Sequence, residues 1–328
     1  MNKRKNGKKL LLFCVILILV LGLIFGGLQL LESTVFTPAP VETEKPHSLT
    51  VTRDGVDYFP RQDITVIMAL GIDELGPVKS SGGYRNNGEA DAIVLLILDH
   101  ADESYTLLCL NRDMMVKMPA LGPGGRPAGS YYGQLALSHT YGEGLADSCE
   151  NTRNTVSNLF NGIQIDHYVA MNMEGISILN DAVGGVTVTV EDDFSAVDSS
   201  MVMGEMTLHG EQALHFVQTR KDVGNQLNIS RMGRQEQYMH SLMSAMSEKV
   251  KDSDSFAVKV FEELSDYIVT DCSINAISGI MERCSDYQLK ETISPEGENV
   301  LGSRFYEFHA NEEKLDELAL RLFYAPKH

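Results

Sequence analysis

The chain predicts an α/β protein, a mixed β-sheet sandwiched between helices and preceded by one transmembrane helix. Three observations carry that expectation. Short apolar runs bounded by turn signals recur along the chain, amphipathic helical stretches alternate with them, and an uninterrupted apolar run opens the sequence. With 328 residues, 43% of them hydrophobic and 22% charged, the chain is long enough for a well-buried core of ordinary composition.

The opening segment "MNKRKNGKK" (1–9) carries Lys3, Arg4, Lys5, Lys8 and Lys9. No charge follows from Leu10 to Leu31, a run long enough to cross a hydrocarbon core of roughly 30 Å at about 1.5 Å per residue. There is no small-residue cleavage site, so residues 10–31 are expected to be a signal anchor rather than a removed leader. Cations before the span and none just after it place residues 1–9 in the cytoplasm and the rest outside the cell membrane. Residues 32–61, with Pro38, Pro40 and Pro46, are expected to be an extended linker.

A globular domain is expected over 62–250. "ITVIMAL" (64–70), "AIVLLIL" (92–98), "YTLLCLN" (105–111), "HYVAMN" (167–172), "VTVTV" (186–190) and "ALHFVQ" (213–218) are strand candidates. "SCENTRNTVSNLF" predicts a helix capped by Ser148 with Val156, Leu159 and Phe160 on one face. "MEGISILNDAVGG" predicts another, stopped by Gly184 and Gly185, and a long helix is expected from Ser230. Residues 251–328 are expected to form a C-terminal extension with two amphipathic helices and short strands near "YQLKETI" and "RFYEFH". "GPGGRPAGSYYGQ" (122–134) lacks the context of a nucleotide loop and is expected as a surface loop or flap. Asp192 and Asp193 predict a solvated turn, and Cys109 a core residue. Cys272 and Cys284 are spaced so that a bridge between them is open.

The charge balance narrows the partners. The chain has 27 Lys+Arg against 45 Asp+Glu, and without the five cytoplasmic cations the outer part carries a net charge of −23. Such a surface repels nucleic acid and anionic lipid. Yet "QTRKDVGNQLNISRMGRQEQ" (218–237) gathers Arg220, Lys221, Arg231 and Arg234. With Ser230 as cap, Arg231, Arg234 and Gln235 share one face of the first helical turns, where the backbone N–H groups and the helix dipole also favour an anion. Guanidinium groups there suit phosphate oxygens, and Arg220 approaches from the preceding segment. From these residues alone two readings stand: surface cations pairing with the many carboxylates, or a site for an anion.

Three strand ends carry further charge. "LGIDELG" ends a strand at Asp73, "GEADAIVLLILD" opens one with Asp91, and "LLCLNRDMMV" ends one in Arg112 and Asp113. Sites in open α/β sheets collect at strand ends, and two converging carboxylates there are the oxygen donors Mg²⁺ takes while leaving room for substrate phosphates.

Together these motifs resemble the LytR-CpsA-Psr (LCP) proteins of bacterial envelopes over roughly residues 62–250. The resemblance runs from the signal anchor through the "GID" strand, the "AD" before "AIVLLILD" and the following "NRD". It continues through "NLFNGIQIDHYVAMNMEGISILNDAVGGVTVTV", "LHGEQALHFVQTRKD" and "SRMGRQEQ". It implies an LCP-like α/β/α layering with an apolar pocket for a polyprenyl tail. It also implies transfer of a glycopolymer from a polyprenyl pyrophosphate carrier to peptidoglycan, usually onto a muramic acid hydroxyl. By the same resemblance Asp73 and Asp91 bind Mg²⁺, while Arg112, Arg220, Arg231 and Arg234 grip the pyrophosphate. Asp113 orients Arg112, Gln235 supports the grip, and Asp91, Arg112 and Asp113 form the catalytic set. Such a reaction rests on positioning and charge neutralisation more than on a covalent nucleophile.

Three motifs depart from the family pattern that the resemblance implies. Glu89-Ala90-Asp91 stands where the family commonly has Arg-Ser-Asp, Gln218-Thr219-Arg220 where it often has Arg-x-Arg, and Asn111 where it has Pro. These departures keep a second function in view, a non-catalytic binder or scaffold for polyprenyl pyrophosphate-linked glycans. Direct DNA binding is set aside, because nine residues before the span are too few for a helix-turn-helix.

Overall fold

The computed structural model describes residues 50–84, 87–122, 126–219, 223, 256–284, 286–302 and 306–326. It also describes residues 233, 234, 237, 238, 240–242, 244–246, 248 and 249. The expected cytoplasmic tail (1–9), the expected span (10–31) and most of the expected linker lie outside the described residues, as do Arg220, Arg231 and Gln235. Among the described residues no helix is long and apolar enough to cross a membrane.

In chain order, β1 (Val51–Arg53) and β2 (Val56–Pro60) precede β3 (Ile64–Ile72), β4 (Ala90–Asp99) and β5 (Ser104–Leu110). The antiparallel pair β6 (Met115–Leu121) and β7 (Pro127–Gln134) leads to α1 (Ala146–Leu159), β8 (His167–Asn172) and α2 (Gly175–Ala182). Then come β9 (Val186–Val190), β10 (Gly204–Leu208) and α3 (Glu211–Gln218), followed by residues 233–249, which are helical where described. The remainder is α4 (Phe256–Leu264), β11 (Ile268–Thr270), α5 (Ile274–Cys284), β12 (Gln288–Ile293), β13 (Gly297–Leu301), β14 (Tyr306–Ala310), α6 (Glu312–Phe323) and β15 (Tyr324–Pro326).

Six strands form the central mixed sheet in the order β11-β8-β3-β4-β5-β12. Its centre is β4, buried along its whole length, as its near-continuous apolar run requires of a strand covered on both faces. Side chains alternate between two cores. Ala92 and Val94 meet α2, α3 and the 233–249 segment through Leu179, Phe216 and Leu242. Ile93, Leu95 and Ile97 meet α1, the β6–β7 pair and α6 through Val156, Met118 and Leu322. The result is the expected sheet between helical layers. Val186, Val188 and Val190 are buried while Thr187 and Thr189 face out, so "VTVTV" is a one-faced strand, paired with β10 outside the main sheet.

Several local expectations change. "ALHFVQ" is helical: Ala213, Leu214, Phe216 and Val217 are buried at helical spacing, and α3 turns them all toward one core. α1 starts at Ala146, before Ser148, whose hydroxyl accepts from Gly144 N–H at 2.9 Å instead of standing outside the helix as its cap. Residues 51–60 of the expected linker are strands paired with each other and with β15. Residues after 250 are no appendage, since β11 and β12 supply both edges of the central sheet and α6 fills one core. Most of the glycine-rich stretch 122–134 is strand β7. Cys109, Cys149, Cys272 and Cys284 are all unpaired, so Cys272 and Cys284 form no bridge.

Candidate active site

The sheet registers bring the charged strand ends together. Ile72 pairs with Ala90 across an antiparallel register and with Asn172 across a parallel one, while Ile93 pairs with Leu110. The residues just past β3 and β5 therefore meet the start of β4 at one end of the sheet. Asp73 N–H donates to Glu89 O at 2.9 Å, locking two of these segments directly. Gly88 allows the approach, because a Cβ there would stand 2.4 Å from Glu74 Cγ and 2.6 Å from Ile72 Cγ2.

Arg112 is the centre of the cluster and is 6% exposed. Its Nη1 donates to Asp91 Oδ1, and its Nη2 to Glu89 Oε2 at 2.5 Å. Its Nε lies 3.5 Å from Asp113 Oδ1. One guanidinium thus serves three carboxylates, and a fourth, Asp73, lies within its field. Burial pushes Asp91 up to about 7, with Arg112 pulling it back and the negative charges of Asp73 and Glu89 adding to the rise. Burial also raises Asp73, Glu89 and Asp113 above the ordinary carboxylate range, against the pull of Arg112. Asp91 Oδ2 and Arg112 Nε are buried without a hydrogen-bond partner.

Neighbours hold the cluster in place. Asn111 Oδ1 accepts from Asp113 N–H at 2.9 Å, so Asn111 shapes the turn through its own side chain. Gln134 Nε2 donates to Asp113 Oδ1 at 2.8 Å and to Tyr306 O at 3.0 Å, while Phe308 N–H donates to Asp113 O at 2.9 Å. His139 Nδ1–H donates to Gly88 O at 2.8 Å beneath the Glu89 segment. Its burial pushes it down to about 4, so it is a neutral strut. The glycines around Gln134 mask its place on a strand. The signal was the period-two order of Ser130, Tyr132 and Gln134.

Arg234 has a different setting. Its Nε donates to Phe216 O at 2.9 Å, its Nη1 to Asp192 Oδ2 at 2.5 Å and its Nη2 to Thr219 O. The guanidinium carbon also lies 5.3 Å from the Phe194 ring centroid. Asp192 is thus an ion-pair partner rather than a solvated turn residue, while Asp193, accepting from Ser195 N–H at 2.9 Å, fits the turn. Gln218, at the end of α3, donates to Met173 Sδ at 3.2 Å.

The donor set of the Arg112 cluster is all oxygen, which suits a hard cation. Among the described residues no three His, Cys, Asp or Glu side chains converge to enclose a metal ion. Mg²⁺ requires less, since one or two carboxylates with waters and substrate phosphates suffice. The unpartnered Asp91 Oδ2 offers one such oxygen.

The family model described as the LytR_cpsA_psr family matches residues 33–322, nearly the whole chain. The chain belongs to the LytR_cpsA_psr family. Among its relatives is the polyisoprenyl-teichoic acid–peptidoglycan teichoic acid transferase TagU of Oceanobacillus iheyensis, 26% identical and matched over 89% of this chain and 87% of its own. The transferase of the same name from Enterococcus faecalis is 29% identical over 84% of this chain and 83% of its own. The crystal structure of Bacillus subtilis TagV shares the fold, with a TM-score of 0.55 at 24% identity over 80% of this chain and 96% of that one. The LytR_cpsA_psr match extends past residue 250, in keeping with the edge strands that the C-terminal segment supplies.

Proposed function

We propose that this protein is a membrane-anchored transferase that moves a glycopolymer from a polyprenyl pyrophosphate carrier to peptidoglycan outside the cell membrane, with Mg²⁺ as cofactor. The observation that carries the reading is Arg112, buried at the sheet end among carboxylates that outnumber it. The names of the relatives supply the substrate class: polyisoprenyl-linked teichoic acid as donor and peptidoglycan as acceptor.

In this reading Arg112 neutralises non-bridging oxygens of the pyrophosphate, with Arg220 and Arg231 completing the grip from the segment after α3. Arg234 is held by Asp192 and the carbonyls of Phe216 and Thr219 and adds its charge to that grip, which Gln235 supports. Asp73 and Asp91 would hold Mg²⁺, which when bound supplies positive charge to the phosphate oxygens. The acceptor hydroxyl oxygen forms a bond to the phosphorus nearest the polymer. The bridging P–O bond breaks, polyprenyl phosphate leaves with the bonding pair, and the hydroxyl proton passes to Asp113 or Asp91. Protein groups act here by position and charge, as phosphoryl transfer requires.

Turnover of a polyprenyl pyrophosphate-linked glycopolymer by the full-length chain tests the reading. The expected result is Mg²⁺-dependent release of polyprenyl phosphate that falls roughly 10³-fold or more in Arg112→Ala. Donor binding without turnover in wild type would favour the non-catalytic scaffold, to which the Glu89–Arg112 pair lends support.

A further inference from the structure

We propose that Gln134 is a positioning residue for the transfer: it sets the Asp113 carboxylate as the group that takes the acceptor proton, and it ties that setting to strand β14. This rests on the reading of the Arg112 cluster as a transferase centre.

Exposure separates the two carboxylates that stand as proton acceptors. The Asp113 side chain is 21% exposed, whereas that of Asp91 is wholly buried, so the hydroxyl of an incoming acceptor reaches Asp113. Among the described residues both side-chain contacts of the Asp113 carboxylate fall on Oδ1, from Gln134 Nε2 at 2.8 Å and Arg112 Nε at 3.5 Å. Oδ2 is left for the hydroxyl. The proton passes to Oδ2 as the acceptor oxygen bonds to phosphorus, and the pair of the broken bridging P–O bond leaves on polyprenyl phosphate.

Backbone bonds fix the frame around this carboxylate. Asp113 N–H donates to Asn111 Oδ1 at 2.9 Å, and Asp113 O accepts from Phe308 N–H at 2.9 Å. On either side, Arg112 O accepts from Ala136 N–H at 3.0 Å and Met114 O from Leu135 N–H at 2.8 Å. Met114 is also bridged to Phe308 of β14. The turn is thus gripped by β14 and by the two residues after Gln134, which leaves Asp113 the rotation of its own side chain. Gln134 removes that freedom.

The choice of side chain shows what the position requires. Gln134 is 3% exposed, and its amide nitrogen faces two acceptors, Asp113 Oδ1 and Tyr306 O, the latter at 3.0 Å. Its Oε1 is buried without a partner, a cost that an apolar residue would avoid. A glutamate would set a second negative charge against Asp113, and a lysine would neutralise the carboxylate that has to accept a proton. A hydroxyl has one proton for two acceptors. The amide gives two donors and no charge. Because Tyr306 belongs to β14, the C-terminal segment reaches the proton acceptor through this side chain.

The test is steady-state turnover of a polyprenyl pyrophosphate-linked glycopolymer by the full-length chain in detergent, with Mg²⁺ and with peptidoglycan as acceptor. Wild type, Gln134→Met, Gln134→Asn and Asp113→Asn are compared, together with each Gln134 variant in the Asp113→Asn background. Donor binding is measured in parallel by calorimetry. Gln134→Met, of similar volume, is expected to lower kcat and kcat/KM together, roughly 10- to 100-fold, with donor Kd within about threefold of wild type. Gln134→Asn keeps the amide but is one methylene too short for both acceptors, so it should fall likewise and serves if Gln134→Met does not fold. Asp113→Asn is expected to lose about 100-fold or more, and the double variants should be no slower than Asp113→Asn alone, because Gln134 acts through Asp113. A merely structural role would instead multiply the losses and weaken donor binding with them. Wild-type kcat in the Gln134 variants, multiplied losses in the double variants, or full activity of Asp113→Asn would each overturn the assignment and leave the transferase reading standing. No turnover by wild type would sink that reading, and the assignment with it.

Discussion

Arg112 and Arg234 are each less than a tenth exposed, yet their surroundings differ in kind. Around Arg234 the charges match: one carboxylate, from Asp192, answers one guanidinium, two carbonyls take the other N–H directions, and Phe194 lies against its face. Around Arg112 there are three carboxylates in contact and a fourth nearby, all raised by burial, with one oxygen of Asp91 unpartnered. A matched buried pair is a joint that holds a segment in place. A cation outnumbered by carboxylates leaves negative charge in a poorly solvated place, and a further cation relieves it. Burial of an arginine is common to both; the sum of charge around it separates support from chemistry.

The sharpest way to break this contrast is to remove Arg234. Arg234→Met strands Asp192 and the carbonyls of Phe216 and Thr219, and is expected to cost about 3–5 kcal/mol of stability. Urea unfolding followed by far-ultraviolet circular dichroism reads it. Arg234→Lys should recover only part, because an ammonium cannot reach three partners in the fixed geometry of the guanidinium fork. If Arg234→Met folded as stably as wild type and lost only donor binding, Arg234 would belong with Arg112 and the distinction would fail.

Acidity sharpens the contrast at a smaller scale. The four carboxylates near Arg112 have raised pKa values, so the native state binds their protons more tightly than the unfolded chain. Stability from this source is fully present below the unfolded carboxylate range near about 4 and is lost as pH rises through about 7, where Asp91 ionises. Metal-free protein should therefore lose thermal stability between pH 5 and 8, and Asp91→Asn should remove much of that slope. His139 acts the other way. Its pKa lies below the ordinary value, so its contribution is present above about 6.5 and lost as pH falls toward about 4. The difference between wild type and Asp91→Asn isolates the carboxylates from it. Added Mg²⁺ should raise the melting temperature most above pH 7 and little at pH 5, where protons occupy the oxygens. A slope unchanged by Asp91→Asn would mean that the cluster carries no excess charge.

The sequence made the strand ends legible because β4 is a nearly pure apolar run, and a charge at its first residues can only lie at the edge of the core. Asp91 follows from that, and Asp73, Arg112 and Asp113 follow in the same way from the ends of the apolar runs of β3 and β5. Their convergence did not, since it depends on registers between strands far apart in the chain. The surroundings of Arg234 are hidden for a related reason. Its helix position was readable, but its partner Asp192 lies 42 residues earlier, in what looks locally like a turn. The apolar run of α3 is short enough to carry both periods, and burial against one core decides for the helix. Gln134 was obscured by the glycines around it, although the alternation that makes β7 a strand is present in "SYYGQ".

Glu89 yields the smallest expected effect and the finest test of the comparison. Its Oε2 occupies Arg112 Nη2 at 2.5 Å, a position that a phosphate oxygen would otherwise take. It also raises Asp91 by its charge. Glu89→Gln removes one negative charge while retaining a side chain that still reaches the guanidinium. Without metal, the donor then meets a less occupied Arg112 and less repulsion, and its binding should tighten roughly three- to tenfold, about 1 kcal/mol. The Asp91 titration should shift downward with it. With Mg²⁺ present the gain should shrink, because a cation already offsets the charge that Glu89 adds. Equal tightening with and without the metal would mean that Glu89 acts by occupying Arg112 alone. Weaker donor binding in both conditions would mean that it holds Arg112 in the orientation the donor needs, and that the apparent excess of carboxylates includes a structural partner.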